Sequence, residues 1–472
     1  MSRKVDSRFI SRRGVLKAAG AAAVASGASA LLGGDNLAAQ GAPAVLTGTQ
    51  AGRKIRAFVK LDKVDPPSVQ QVTLRGLVGR QIAIRTEAAQ TCYSSVGQVL
   101  LPSPTAPTNI TVVGHGGIGI IEAVGPEVFA LGVGDRVLVN FHSSCGWCHS
   151  CVNGHQDQCT AQNGAMGPLG TGAPLPTADL DGKPVFSGTS GMTEVMVMPQ
   201  EKCIPLFTDL SSVELSMLPC VGNSGLGLAM THCPVEVGTD VVVFGAGPVG
   251  LSAVQGARIK GAARIITVEP IRYRREIALK LGATDAVDPN QYKERTRNPT
   301  VGGIGGDMYK DALVDHLRDM CKMKSDRIFA GGGRIGPDHV IEAAGGDAYG
   351  GVTTKPSEGS GPDPTGMTVL SQIWQLGSAV GTIVSCSIGF PANAMVQIPP
   401  NEFADGAKRY QGGTGGGTNS RRDVPRYVRM MEAGKLDMKT LAAKTYSLKD
   451  STEAYNVAMN RTVVATVVTP NA

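Results

Sequence analysis

The sequence predicts an α/β protein of two domains, the first mostly β and the second built on a doubly wound parallel sheet. Three observations carry this reading. Residues from about 53 to 218 alternate short apolar runs with Gly and Pro turns, which is the pattern of short strands. The run VVVFGAGPVGLSAVQGARIKGAARIITVEP (241–270) reads as strand, Gly turn, helix and strand, one βαβ unit. Within the first, Cys145, Cys148, Cys151 and Cys159 fall in a C-x2-C-x2-C-x7-C cluster that marks a lobe at 145–159. A chain of 472 residues is long enough for two sizeable cores.

Along the chain, residues 1–50 read as leader and linker. SRRGVLK (11–17) pairs Arg12 with Arg13 ahead of a weakly apolar, Ala-rich stretch from Ala18 to Leu32, and small residues at Ala38, Ala39 and Ala44 offer cleavage sites. That is the pattern of a twin-arginine export signal, with a periplasmic or secreted product; a disordered or mitochondrial-type leader is the alternative. No segment offers about 18 uninterrupted apolar residues, so no membrane span is expected. Residues 51–218 form the β-rich domain. The second domain is expected over 219–390, with HVIEAAGG (339–346) and AVGTIVSCSIG (379–389) as later strands. An insertion at 290–337 holds a helix, DALVDHLRDMCK, and 350–366 is rich in Gly, Pro and Ser. Long insertions are either covers or surface loops. Residues 391–472 are expected to return to the first domain, with a helix at YVRMMEAGKL (427–436) and a closing strand at VVATVV (463–468). GGTGGGT (412–418) reads as flexible surface.

Aromatic residues make up only 4% of the chain against 62 glycines, which suits an α/β enzyme and not a base-stacking platform. The net charge is +6, but residues 1–40 hold six Lys/Arg and two Asp. About +2 remains for the rest, which argues against a nucleic-acid partner.

Four thiolates crowded together satisfy a Zn²⁺ ion in a tetrahedral site. Two disulfides are the alternative, disfavoured because adjacent C-x2-C pairs suit a metal better than two short bridges. A closed four-cysteine site offers no open position, so it is structural. Cys203, Cys233, Cys321 and Cys386 read as buried packing, with one disulfide open.

Gly245, Gly247 and Gly250 form G-x-G-x-x-G between a strand and a helix. The first permits the tight turn, the second the approach of a pyrophosphate, the third close helix packing. Glu269 ends the next strand, 19 residues after Gly250. A carboxylate there accepts ribose hydroxyls and repels a 2′-phosphate, so NAD is favoured over NADP. Arg272, Arg274 and Arg275 oppose that preference.

Five segments in order resemble the zinc-dependent alcohol dehydrogenases of the medium-chain dehydrogenase/reductase superfamily. They are IAIRTEAAQTCYSS (82–95), GHGGIGIIEAVGPEVFALGVGDRVLV (114–139), the four-cysteine run, LPCVGNSGLGLAM (218–230) and the dinucleotide fingerprint. The resemblance runs from about Arg53 to the C-terminus. It implies a GroES-like catalytic domain and a Rossmann cofactor domain. It also implies a catalytic zinc held by Cys92, His115 and Cys220, making two zincs per chain, with Ser94 accepting the alcohol proton. Two departures stand out. The family has Glu after this His, where Gly116 stands, and Asp three residues after the first Cys, where Ser95 stands. The family's relay histidine would fall near Gly97, and His142 is a candidate proton carrier without motif support.

The expected function is interconversion of an alcohol with an aldehyde or ketone by hydride transfer to or from NAD, in a homo-oligomer (dimer or tetramer). Three alternatives stay open. One is a zinc-stabilised ligand-binding protein with a degenerate site. Another is a nicotinoprotein that keeps its NAD under a lid made by 290–337 and regenerates it with a second substrate or external acceptor. The third is a metal-free reductase.

Overall fold

The computed structural model describes residues 50–61, 65–96, 99, 109–159, 175–298, 308–322, 336–345, 367–386, 395–398, 407–413 and 415–472. The twin-arginine leader, Gly97, the segment 350–366 and parts of the insertion at 290–337 lie outside these residues. All of the described residues fall in one compact unit, Leu46–Ala472.

The β-rich part holds two strand systems. Strands Lys54–Lys60, Ser68–Leu74, Ala178–Leu180, Lys183–Phe186 and Ile110–Val112 close a small barrel. The long strands Gln81–Gln90 and His115–Val124 form the centre of a larger sheet and pair antiparallel. The C-terminal strand Ala465–Thr469 pairs with Gln81–Gln90, so the end of the chain returns to this domain as the resemblance implies.

The second domain is a six-stranded parallel sheet. Its spatial order is Asp285–Val287, Arg264–Val268, Asp240–Phe244, His339–Glu342, Thr382–Ser385, Arg409–Gly412, or 3-2-1-4-5-6 by position in the chain. Alternation along the strands sends side chains to both faces. Val241, Val243 and Ile265 face the fingerprint helix Pro248–Lys260 and share a core with Cys92, Ile118 and Leu138 of the first domain. Val242, Phe244, Ile266 and Val268 face helices Ala312–Cys321 and Met367–Leu376.

Three sequence expectations change here. The parallel sheet does not end near residue 390. Arg409–Gly412 supplies its edge strand, because Thr382–Ser385 still presents an unpaired backbone edge. Nor does the described part of the insertion make a cofactor lid. Helix Ala312–Cys321 buries Leu313, Val314, Leu317 and Cys321 against the sheet face opposite the fingerprint helix. It is an ordinary crossover helix, capped by Asp311, which accepts from the backbone N–H groups of Leu313 and Val314. A short hairpin, Arg295–Arg297 with Tyr309–Asp311, leads into it. Finally, the glycine turn after Gly412 is not flexible surface. Gly415, Gly416, Gly417 and Thr418 are buried. A Cβ on Gly415 would lie 2.7 Å from Asp157 and 3.1 Å from His142, and one on Gly417 2.3 Å from His232. Gly417 N–H donates to Asp157 Oδ2 at 3.3 Å. Gly415 and Gly417 leave room for two imidazoles and a carboxylate, and Gly416 leaves room for the backbone of Ser224 and Leu228.

Gly417→Ala is therefore expected to destabilise the protein by about 1–3 kcal/mol, since Gly417 also has φ +74°. Thermal melting checks this, and His232→Ala in the same background should recover part of the loss. His232 and His339 are both lowered, chiefly by burial. A lowered imidazole resists protonation in the folded state, so stability is lost as pH falls below about 6.5, where the unfolded chain takes up the proton. Neither ring nitrogen of His339 has a hydrogen-bond partner among the described residues. Melting curves from pH 7.5 to 5 should fall less steeply for His339→Leu than for the parent.

Candidate metal centres and cofactor site

Three segments far apart in the chain deliver the first cluster. Cys92 ends the extended stretch after Gln81–Gln90 and precedes a single helical turn, Tyr93–Ser95. His115 opens the central strand His115–Val124. Cys220 lies in Leu218–Gly222, where the helix runs with wide turns and Gly222 N–H reaches back five residues to Met217 O at 2.8 Å. Wide turns of this kind recur at functional sites because they displace one residue from the regular helical surface.

The donor atoms of Cys92, His115 and Cys220 all lie within 4.8 Å of one another. The two sulfurs are 3.7 Å apart, and His115 Nε2 is 3.2 Å from Cys220 Sγ. An ion about 2.3 Å from each sulfur, at a tetrahedral angle, separates them by about 3.8 Å. The set therefore fits zinc in spacing and in donor chemistry. Its electrostatics agree. The hydrogen bond from Cys220 holds Cys92 well below the ordinary thiol range, against the opposing effect of burial, and the same bond with burial raises Cys220. Burial lowers His115, but the Cys92 charge and hydrogen bond overcome it, and the imidazole is raised.

Ser94 sits at this cluster. Its hydroxyl donates to Cys92 Sγ at 3.1 Å and lies 3.5 Å from His115 Nε2. Ser95, only 2% exposed, places Oγ 3.1 Å from His115 Nδ1. The position where the family has Asp therefore still touches the ligand imidazole, now through a neutral hydroxyl. Gly116 also has a local cause. With φ +75°, it lies under Pro219, and a Cβ there would be 2.5 Å from Pro219 Cβ. Sequence reasoning flagged both departures but missed Pro219, whose only signal was a proline beside a ligand cysteine. His142 packs on Phe141, with ring centroids 3.5 Å apart, and beside Gly415.

The second cluster is as the spacing predicts. Cys145, Cys148, Cys151 and Cys159 bring four sulfurs within 4.8 Å, with Cys145–Cys151 and Cys148–Cys159 each at 3.9 Å. None of the cysteines is in a disulfide. Burial first, with the neighbouring thiols, pushes Cys151 up to about 12, a proton that a cation must displace.

At the dinucleotide fingerprint the glycines differ in what confines them. A Cβ on Gly245 would meet Ala343 backbone at 2.9 Å, and one on Gly250 would meet Gly245 O at 1.9 Å. Gly247 has only the Arg274 guanidinium near it, at 3.9 Å, so its backbone stays open to an approaching group. Glu269 is 4% exposed and accepts from Ala246 N–H at 2.7 Å and Ile271 N–H at 2.9 Å. Of the three arginines, Arg272 pairs with Glu276 and Arg275 with Asp288. Arg274, 8% exposed, donates to Tyr273 Oη at 3.1 Å.

Comparison with known proteins agrees with this geometry. Residues 79–208 match the alcohol dehydrogenase GroES-like domain family, and residues 248–350 the zinc-binding dehydrogenase family. The chain is 25% identical to the alcohol dehydrogenase class-3 of Cereibacter sphaeroides over 86% of its own length and 96% of that protein. It is 27% identical to the NDMA-dependent alcohol dehydrogenase of Amycolatopsis methanolica over 85% and 95%. Over a shorter stretch, 48% of this chain and 60% of the relative, it is 35% identical to the geraniol dehydrogenase of Castellaniella defragrans. Its fold is similar to that of an alcohol dehydrogenase zinc-binding domain protein from Burkholderia ambifaria, with TM-score 0.69 and 24% identity over 89% of this chain and 100% of that one. With the benzyl alcohol dehydrogenase of Acinetobacter calcoaceticus the TM-score is 0.68, at 22% identity over 88% and 99%. The two matched domains and the relatives aligned over nearly their full length together support a zinc-dependent alcohol oxidoreductase of the alcohol dehydrogenase type.

Proposed function

We propose that this zinc-dependent alcohol oxidoreductase uses Cys92, His115 and Cys220 to hold a catalytic zinc, and Cys145, Cys148, Cys151 and Cys159 to hold a second, structural one. It interconverts an alcohol with an aldehyde or ketone, with NAD as the hydride partner. The observation that carries the reading is the convergence of one imidazole and two thiols from three distant segments, all buried or half-buried. Three protein ligands leave a fourth position for substrate, whereas four close a site.

Bound there, zinc would supply Lewis acidity to the alcohol oxygen, and the nicotinamide would take the hydride. The chain's own residues do the rest. Ser95 Oγ lies 3.1 Å from His115 Nδ1, and accepting a proton from that nitrogen would leave the Nε2 lone pair facing the cluster, the tautomer a ligand needs. Ser94 Oγ, within hydrogen-bond reach of the cluster, would relay the alcohol proton, accepting it as its own hydroxyl proton passes on to water. Glu269, pinned by two backbone N–H groups beside the glycine turn, would meet the adenosine ribose and disfavour a 2′-phosphate. Arg272 and Arg275 are engaged by their own carboxylates, which supports NAD over NADP.

A second reading concerns the cofactor's fate. The twin-arginine leader, a proposal resting on sequence alone, would send the protein where free NAD is scarce, so a retained NAD regenerated in place is worth testing. Protein purified without added cofactor, desalted and denatured should release about one NAD per chain if so; a trace, with saturable dependence on added NAD, eliminates it.

His115→Ala should abolish alcohol oxidation by at least about a thousandfold while NAD binding and the melting transition persist, because His115 touches the cluster and not the cofactor fold. Retained turnover would overturn the site. Ser94→Ala should cost less and shift the pH profile. Cys148→Ser should release one of two zincs and lower the melting temperature, since structural zinc binding is coupled to folding; metal analysis with calorimetry checks it.

A further inference from the structure

The three ligand residues of the catalytic cluster lie on separate pieces of backbone, and a metal site works only if those pieces hold their separations. Cys220 rides on the helix through Pro219, and His115 on the central strand through Gly116. These two neighbours meet. Pro219 and Gly116 are both buried, and a Cβ at 116 would lie 2.5 Å from Pro219 Cβ and 3.4 Å from Val139 O. The proline ring therefore rests on bare backbone. Pro219 suits the place, because its φ is fixed and its missing N–H costs nothing at the start of a helical segment. Gly116 suits it because φ is +75° and no side chain fits.

We propose that Pro219, seated on the backbone of Gly116, is a positioning residue that sets the separation between His115 and Cys220. This role rests on the reading of Cys92, His115 and Cys220 as a metal site. It adds that the departure at Gly116 is coupled to the proline, and is not decay of the site. A side chain restored at 116 must push the helix that carries Cys220 away from the strand that carries His115. Removing the ring instead leaves a gap under the ligand and loosens the same separation.

The test uses the full chain with its four-cysteine zinc in place and the second site emptied by a chelator, then titrated with Co²⁺. Thiolate-to-cobalt absorption and chelator competition report the affinity, and NAD binding and the melting transition report the fold. Pro219→Gly, with Pro219→Ala as the milder variant, should bind cobalt about 10–100-fold more weakly with both fold readouts kept, which is the scale of change for groups that orient ligands. Gly116→Ala should weaken binding at least as much. The double variant Gly116→Ala/Pro219→Gly should bind at least tenfold more tightly than Gly116→Ala alone, since contacting residues do not act additively. Affinities within twofold of the parent for the Pro219 variants would overturn the proposal, as would strictly additive losses or global unfolding of both. A parent that takes up no cobalt beyond the four-cysteine lobe would instead overturn the metal reading on which it rests.

Discussion

The proposed metal site demands that three donor atoms approach within a few ångströms although 128 residues separate the outermost two. Most of the architecture can be understood as the means of meeting that demand. Cys92 follows one long strand, His115 begins the strand paired with it, and Cys220 sits on the helix that crosses from the β-rich domain into the parallel sheet. The core that fixes them is continuous. Cys92, Ile118 and Leu138 pack in the same cluster as Val241, Val243 and Leu251, so the site lies where the two sheet systems share one interior. Rigid packing of this kind preserves ligand separations, because close-packed side chains have nowhere to go.

The four-cysteine lobe does no chemistry, yet it is tied to the rest of the molecule at a buried junction. Asp157, between the third and fourth cysteines, accepts from Gly417 N–H in the buried turn that links the edge strand of the parallel sheet to helix Ser420–Glu432. His142 and His232 close on the same turn from the strand and helix sides. The lobe is thereby fastened to the domain junction through the hydrogen bond from Gly417 N–H to Asp157.

Charge is handled sparingly around the cluster of Cys92, His115 and Cys220. Cys92 is favoured as the thiolate by its hydrogen bond from Cys220, and the nearest groups from the surroundings are hydroxyls, Ser94 and Ser95. At the cofactor turn the opposite holds, with Glu269 buried and held by two backbone donors, an arrangement that suits an ionised carboxylate.

By itself the sequence determined whatever depends on short-range spacing and composition. The four-cysteine lobe, the strand–turn–helix at 241–260, the order of the domains and the helix at 311–322 were legible because each is encoded within a few turns of chain. So were Cys92, His115 and Cys220, through the motifs around them. Tertiary structure alone decided what depends on contact across the fold. That Arg409–Gly412 closes the parallel sheet follows from an edge left open by Thr382–Ser385. That helix Ala312–Cys321 packs against the sheet follows from the apolar face it shares with Val242 and Phe244. The glycines at 415–417 look like loose linker in one dimension and are tightly confined in three, because Asp157, His142, His232 and the backbone of Ser224 and Leu228 arrive from distant segments. Gly116 looks like a lost carboxylate until Pro219, 103 positions later, is found on top of it. A sequence displays which side chains are present, but excluded volume between remote segments exists only once the chain has folded.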